Sequence, residues 1–372
     1  MRVMITGGGT GGHTSPAVAL IEELQARDPQ LAIQWVGCRG AIEERICRAL
    51  AIPFRAVPAE GWPRRWGIRR VYTGVKLALG IVRAWVHVRR FQPDVVVGVG
   101  GYVTVPVGLV AQGMGVPTVL HEQNKRLGMA NRLLAKRADR ILLSYADTIG
   151  DYPRERATVV GNPVRAGFLD PPDRIEACRR FDLDRSRKVV LVCGGSQGAV
   201  TLNDAMVHIA GIAPPGGVQF IWMTGKTDAP RAMAAAASSA GTARVFSFID
   251  DMPGACAAAD LVVGRAGASS TAELAAMGKP CILVPFPHAT DNHQEQNARA
   301  FESAGAAVVL LDAECSGERL DLLVRELLAD GERLGRMQAA AKSLAAPGAA
   351  DAMVETIFGL VFGARKGEGD AP

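Results

Sequence analysis

Two stretches constrain the fold of this chain more than any others: RVMIT followed by GGGTGG at residues 2–12, and KVVLVC followed by GGSQGA at residues 188–199. Each is an apolar, β-branched run that ends in clustered glycines and gives way to a helical pattern. Such a run fits a strand buried on both faces, as in a parallel sheet. Glycines at its carboxyl end let backbone N–H groups approach an anion with no Cβ in the way, and the following helix adds its positive N-terminal end. In doubly wound sheets ligands bind at this end of the strands. Any α/β protein needs tight strand-to-helix turns, so neither cluster alone establishes a ligand.

The chain otherwise alternates short apolar runs with helical stretches, the pattern of a parallel α/β sheet. AIQWVG, DVVVGVG, PTVLHE, RILLSY and ATVVGN join RVMIT as strands of a first half. VQFIWMTG, ARVFSFI, ADLVVGRAG, PCILVPF and AAVVLL join KVVLVC in a second. SPAVALIEELQAR, with Pro16 in its first turn, and the segment from Tyr72 to Arg90 read as helices. The boundary lies between Pro163 and Arg187, around Pro171-Pro172. The predicted fold class is therefore α/β, two Rossmann-like doubly wound parallel-sheet domains facing a deep cleft. AMVETIFGLVFG at 352–363 is expected as a final helix, and the polar residues after it as a disordered tail.

Val95 to Leu120 is uncharged and long enough to span a bilayer, but Gly98, Gly100, Gly101, Pro106, Gly113, Gly115 and Pro117 interrupt it. Strand, glycine turn, short helix and strand is the better reading. Met1–Thr6 lacks the basic and apolar regions of a signal peptide. Seven cysteines, odd in number and without a C-x-x-C pair, point to reduced thiols in the cytosol and away from disulfides or zinc.

His13 closes the first glycine cluster. At the tip of such a turn an imidazole can take a proton from a hydroxyl nucleophile; packing on the helix that it precedes is the structural alternative. As a dinucleotide fingerprint GGTGGH is a weak match. That motif wants an acid after the second strand to hold the ribose, whereas AIQWVG runs into Cys38-Arg39, and a histidine in the turn has no role in hydride transfer.

GGGTGGH, GVGGYVTVP, LHEQN, GNPVR, GGSQGA, FIDDM, RAGASSTAEL and PHATDNHQEQNA occur in that order over nearly the whole chain. Together they resemble the MurG family, the bacterial UDP-N-acetylglucosamine transferases that convert lipid I to lipid II in peptidoglycan synthesis. The resemblance implies a GT-B fold and an inverting transfer of N-acetylglucosamine to the 4-hydroxyl of the muramoyl residue of lipid I, without metal or cofactor. It implies that residues 1–163 form the acceptor and membrane-associating domain, with the helix at about 346–363 packing back on it. Residues 164–345 would bind UDP-N-acetylglucosamine, and 364–372 would be a disordered tail.

For the site, the resemblance implies His13 as catalytic base in a turn with Thr10, Gly11 and Gly12. Asn124 would bond the sugar, with Glu122 orienting the acceptor region. Arg165 and Ser196 would neutralise the UDP diphosphate, a task suited to arginine's permanent, forked charge. Ile249 would meet uracil through its backbone. Ala268, Ser269, Ser270, Thr271, Ala272 and Glu273 would open a helix onto a phosphate, Glu273 taking the ribose hydroxyls, and Gln294 would meet the transferred sugar. His293 and Arg265 are second-rank candidates, for which packing or solvation is as good an account. Asp250 and Asp251 look like a metal pair, but adjacent residues rarely point to one ion, and a loop start or helix cap is the better reading. Ala130 departs from the family pattern, in which a hydroxyl residue is commoner.

Between Glu60 and Asp94 there is no acidic residue, while Arg64, Arg65, Arg69, Arg70, Lys76, Arg83, Arg89 and Arg90 accompany Trp62, Trp66 and Trp85. That mixture suits an anionic bilayer surface, each charge contributing on the order of 1 kcal/mol near it. Val75, Leu79, Val82 and Val86 are expected to face the core. A lipid-linked acceptor would be met at the cytoplasmic side of the inner membrane, with cell-wall synthesis and division proteins as partners. Nucleic acid fits the charge equally well, but no recognised motif supports it. Two other readings stay open: a non-hydrolysing UDP-N-acetylglucosamine epimerase, needing neither acceptor nor membrane face, and a nucleotide-sugar-binding module without catalysis.

Overall fold

The computed structural model describes residues 1–9, 11–62, 67–212, 217–237 and 242–368. The chain divides into two compact units, Met1–Arg165 with Ala346–Pro372, and Ala166–Ala345. The first holds a parallel sheet of β1 (Arg2–Thr6), β2 (Ala32–Gly37), β3 (Phe54–Ala56), β4 (Val95–Gly98), β5 (Thr118–Glu122), β6 (Arg140–Leu143) and β7 (Ala157–Val159). Their order is β3-β2-β1-β4-β5-β6-β7. Helices α1 (Gly11–Arg27), α2 (Ile42–Ala49), α3 (Ile68–Phe91), α4 (Thr104–Gly113) and α5 (Met129–Leu134) connect them.

Side chains on β1 alternate between two cores, as the period of a strand requires. Val3 and Ile5 join Leu20, Ile21 and Leu24 of α1 and Met353, Ile357 and Val361 of the final helix, Ala349–Glu368. Met4 points the other way, into a cluster with Ala84 and Val88 of α3 and Val107 and Ala111 of α4. The final helix thus completes the first unit, and Arg27 of α1 pairs with Asp351 and Glu355 on it. It runs five residues past the predicted end at 363, into the predicted tail; 369–372 lie outside the described residues. Once formed, a helix gains a backbone hydrogen bond for each residue added, and nothing in this segment forbids it.

Two other expectations are corrected, and one strand is added. Helix α1 starts at Gly11, so Pro16 sits in its second turn, and Gly11 and Gly12 are themselves helical. Strand β3 was unexpected because FRA carries no apolar run; as an edge strand it pairs with β2 through its backbone, Trp35 to Phe54 and Gly37 to Ala56. The stripe Val75, Leu79 and Val82 faces outward, 54%, 54% and 60% exposed, and Val86 is only half-buried. Thr73, Gly80, Ala84 and Val88 face inward instead. A Cβ on Gly80 would come 2.6 Å from the Pro58 carbonyl, so the middle of α3 packs closely through Gly80 and Ala84, with Ile81, Val88 and Phe91 on the core and the stripe Val75, Leu79 and Val82 outside. The Val95–Leu120 segment is β4, α4 and β5, and no described helix is long and apolar enough to cross a membrane.

The second unit repeats the plan with β8 (Lys188–Cys193), β9 (Val218–Met223), β10 (Ala243–Phe246), β11 (Leu261–Gly264), β12 (Cys281–Leu283) and β13 (Ala307–Val309). All are parallel, in the order β10-β9-β8-β11-β12-β13. Strand order reverses between β1 and β4 in one sheet and between β8 and β11 in the other. These are the switch points at which doubly wound sheets bind ligands.

Candidate active site

In the first unit the loops after β1, β4 and β5 meet at the switch point. Gly8 has φ +151°, and a Cβ there would lie 2.3 Å from the carboxyl carbon of Glu43. Glu43, fully buried in the first turn of α2, accepts hydrogen bonds from the backbone N–H of Gly9 (3.1 Å) and of Cys38 (2.8 Å). It therefore fastens the glycine turn to the end of β2. Gly11 and Gly12 begin α1; Thr10 lies outside the described residues.

His13 is half-buried in the first turn of α1, its ring so close over Gly100 that a Cβ there would lie 2.7 Å from Nδ1. Nδ1 is 3.3 Å from Gln123 Oε1. Gln123 Nε2 is 2.7 Å from the Val99 carbonyl and 3.2 Å from His121 Nδ1, and His121 Nε2 is 3.2 Å from the Gly161 carbonyl. Burial pushes the His121 pKa down to about 4, so at neutral pH this imidazole is uncharged.

Asn124 follows directly. Its backbone N–H (3.0 Å) and its Nδ2 (3.1 Å) both donate to Glu122 Oε1. The other carboxylate oxygen accepts from Gly128 N–H (2.8 Å) and Asn131 Nδ2 (2.9 Å). Glu122 is 2% exposed, so these bonds compensate a buried charge and set the shape of the HEQN loop.

In the second unit β8 and β11 are neighbours, Cys193 pairing with Gly264. The turn with half-buried Ser196 thus lies beside the start of the helix Ala268–Ala276. Along that helix Ala268, Ser269 and Thr271 are buried, Ser270 is exposed, and Ala272 and Glu273 are half-buried. The Thr271 hydroxyl donates to the Gly267 and Ala268 carbonyls, so its bonds serve the helix itself. Burial raises the Cys193 thiol to about 12, and the Glu273 carboxylate adds to that. Gln294 opens the helix His293–Ser303, where its Oε1 accepts from Phe286 N–H (3.0 Å), leaving the amide NH2 as its donor end.

Ile249, 4% exposed, follows edge strand β10, and half-buried Arg165 is the last residue of the first unit. Arg265 is held by Asp312 and by the Val284 (3.1 Å) and Pro285 (3.2 Å) carbonyls, which favours its structural reading. His293 Nδ1 is 2.6 Å from the Thr290 carbonyl. Asp251 caps the helix Met252–Ala258 through Gly254 N–H (2.9 Å) and pairs with Arg180, while Asp250 is exposed. Among the described residues no three His, Cys, Asp or Glu side chains converge as a metal site. Sequence reading missed Glu43, His121 and Gln123, whose importance lies in partners distant along the chain.

The chain matches the N-terminal domain model of glycosyltransferase family 28 over residues 3–143 and the C-terminal domain model over residues 189–353. Over 369 residues it is 41% identical to the UDP-N-acetylglucosamine–N-acetylmuramyl-(pentapeptide) pyrophosphoryl-undecaprenol N-acetylglucosamine transferase of Moorella thermoacetica, covering 97% of this chain and 99% of that one. The chain belongs to the MurG family of glycosyltransferases. The crystal structure of MurG from Acinetobacter baumannii superposes with a TM-score of 0.73 at 27% identity, covering 96% of this chain and 99% of that one. The two doubly wound sheets are those of the GT-B fold. A UDP-GlcNAc 2-epimerase from Neisseria meningitidis, at 14% identity and a TM-score of 0.67 over 96% of this chain and all of that one, shares the fold alone.

Proposed function

We propose that this chain transfers N-acetylglucosamine from UDP-N-acetylglucosamine to lipid I, giving lipid II. The near full-length identity with the Moorella transferase carries the reading, and the placement of His13 beside the HEQN loop agrees with it. The acceptor binds the first unit and the donor the second. The muramoyl 4-hydroxyl oxygen attacks the anomeric carbon from the face opposite UDP and loses its proton to His13. The bond from that carbon to the β-phosphate oxygen breaks, and its electron pair leaves with UDP. Arg165, Ser196 and the helix start Ala268–Ser270 neutralise the diphosphate, the kind of electrostatic support that is a large part of catalysis. Glu273 holds the ribose, the backbone of Ile249 the uracil, and Asn124 and Gln294 the sugar, with Gly11 and Gly12 opening α1 beside it.

The outward stripe of α3 is the membrane face. Val71, Tyr72, Val75, Leu79, Val82 and Trp85 are all 48% exposed or more. Lys76 lies over the Tyr72 ring (4.9 Å) and Arg89 over that of Trp85 (5.8 Å). Apolar side chains beside bases fit the anionic cytoplasmic face of the inner membrane; Arg64, Arg65 and Trp66 lie outside the described residues. The family resemblance adds cell-wall synthesis and division proteins as partners there.

The test is transfer from radiolabelled UDP-N-acetylglucosamine to a short-chain lipid I analogue. Wild type should give lipid-linked product, and His13→Ala should lose about 10²–10⁴-fold in rate while keeping UDP affinity. A folded, UDP-binding wild type without that product would refute the transferase reading and favour the epimerase.

A further inference from the structure

We propose that Gln123 is a positioning residue that holds neutral His13 as its Nδ1–H tautomer, so that Nε2 is the nitrogen that accepts the acceptor's proton. The proposal rests on reading His13 as the base and adds what sets its chemical form. An imidazole in water exchanges its proton between two nitrogens, and only the one without it can act as a base.

The orientation of the Gln123 amide is over-determined by two peptide carbonyls, which can only accept. At one end the Val99 carbonyl, 2.7 Å away, demands an N–H, so Nε2 and not Oε1 must face it. At the other end the Gly161 carbonyl, 3.2 Å from His121 Nε2, demands that this nitrogen carry the proton of the neutral ring. His121 Nδ1 is then a lone pair, and the group 3.2 Å from it must donate; Gln123 Nε2 has a second N–H for it. Both ends orient the amide alike. Its oxygen is left 3.3 Å from His13 Nδ1. An amide oxygen cannot donate, so Nδ1 carries the proton and the lone pair sits on Nε2.

This arrangement survives the reaction. When Nε2 takes the proton, the imidazolium still donates from Nδ1 to the same oxygen, through a bond that strengthens with the charge. The chain of groups is no proton wire, because an amide side chain and a peptide carbonyl do not relay protons. A proton accepted at Nε2 therefore departs from Nε2, before the next turnover. The nearest precedent in logic is the carboxylate that fixes the tautomer of a triad histidine; here a neutral amide performs the orienting task.

The test is ring ¹⁵N NMR on full-length protein labelled at its six histidines, at a pH above their titration, with the His13 signals identified by their loss in His13→Asn. The expected result is a protonated Nδ1 and an unprotonated Nε2 on His13. A wild-type His13 in the Nε2–H form would overturn the proposal. In transfer assays Gln123→Leu should lower kcat on the order of tenfold, a part of the ~10²–10⁴-fold that a positioned base contributes, with KM for UDP-N-acetylglucosamine within about twofold. In folded Gln123→Leu the His13 ring should lose its fixed Nδ1–H form in the same ¹⁵N spectra, whereas an Nδ1–H form retained there counts against the tautomer role. If His13→Ala keeps its rate, the base reading falls and this proposal with it, whatever the tautomer.

Discussion

His121 is wholly buried, and that burial holds its pKa at about 4, well below the ordinary 6.5. The unfolded chain therefore takes up a proton below about pH 6.5 that the folded chain refuses until about pH 4. Stability from this group is complete above pH 6.5 and is lost as the pH falls towards 4, by about 3 kcal/mol in all. Urea unfolding of the first unit should show that decline, and His121→Asn, which does not titrate, should flatten it. An equal decline in the variant would place the acid sensitivity elsewhere. Glu43 is the complementary case at this scale, a buried carboxylate kept by two backbone N–H groups because the glycine turn needs an acceptor there.

At the scale of elements α3 is the most informative. Its inward side carries Gly80 and Ala84, the first close against the Pro58 carbonyl and Pro106 of α4, and its outward side carries the bulky Val71, Val75, Leu79 and Val82. An outward run of large apolar side chains marks an interaction surface, and the proposed partner for it is the membrane. Leu79→Asp with Val82→Asp should weaken binding to phosphatidylglycerol vesicles at least tenfold, since each side chain loses part of the ~1.5–3 kcal/mol of full burial. The circular dichroism should be unchanged, because neither residue packs inside. Undiminished vesicle binding in that variant would remove the membrane role from this stripe.

At the scale of the molecule each unit has its own sheet and its own core clusters. If the donor binds the second unit, its stabilisation is local. UDP at about 100 times its Kd contributes about 2.7 kcal/mol, enough to slow amide exchange through global opening about a hundredfold within Ala166–Ala345. Residues 1–165 should keep their exchange rates. Protection centred on the first unit would reverse the assignment of donor and acceptor.

Sequence by itself determined the repeated strand-to-helix plan and the two glycine turns. Parallel strands are buried on both faces, so they appear as apolar runs that need no knowledge of their neighbours, as in VVVG of β4 and LVVG of β11. Conformational demand on a glycine turn is just as local, which is why His13 stood out beside one. Tertiary structure decided the rest, since it depended on partners that local pattern does not name. Strand β3 exists through backbone pairing with β2, and the buried side of α3 follows from close approach to Pro58 and not from the size of its own side chains. Glu43 and Gln123 act on residues 34 and 110 positions away. A hydrogen bond is specified by where two atoms meet in space, and only the folded chain brings these atoms together.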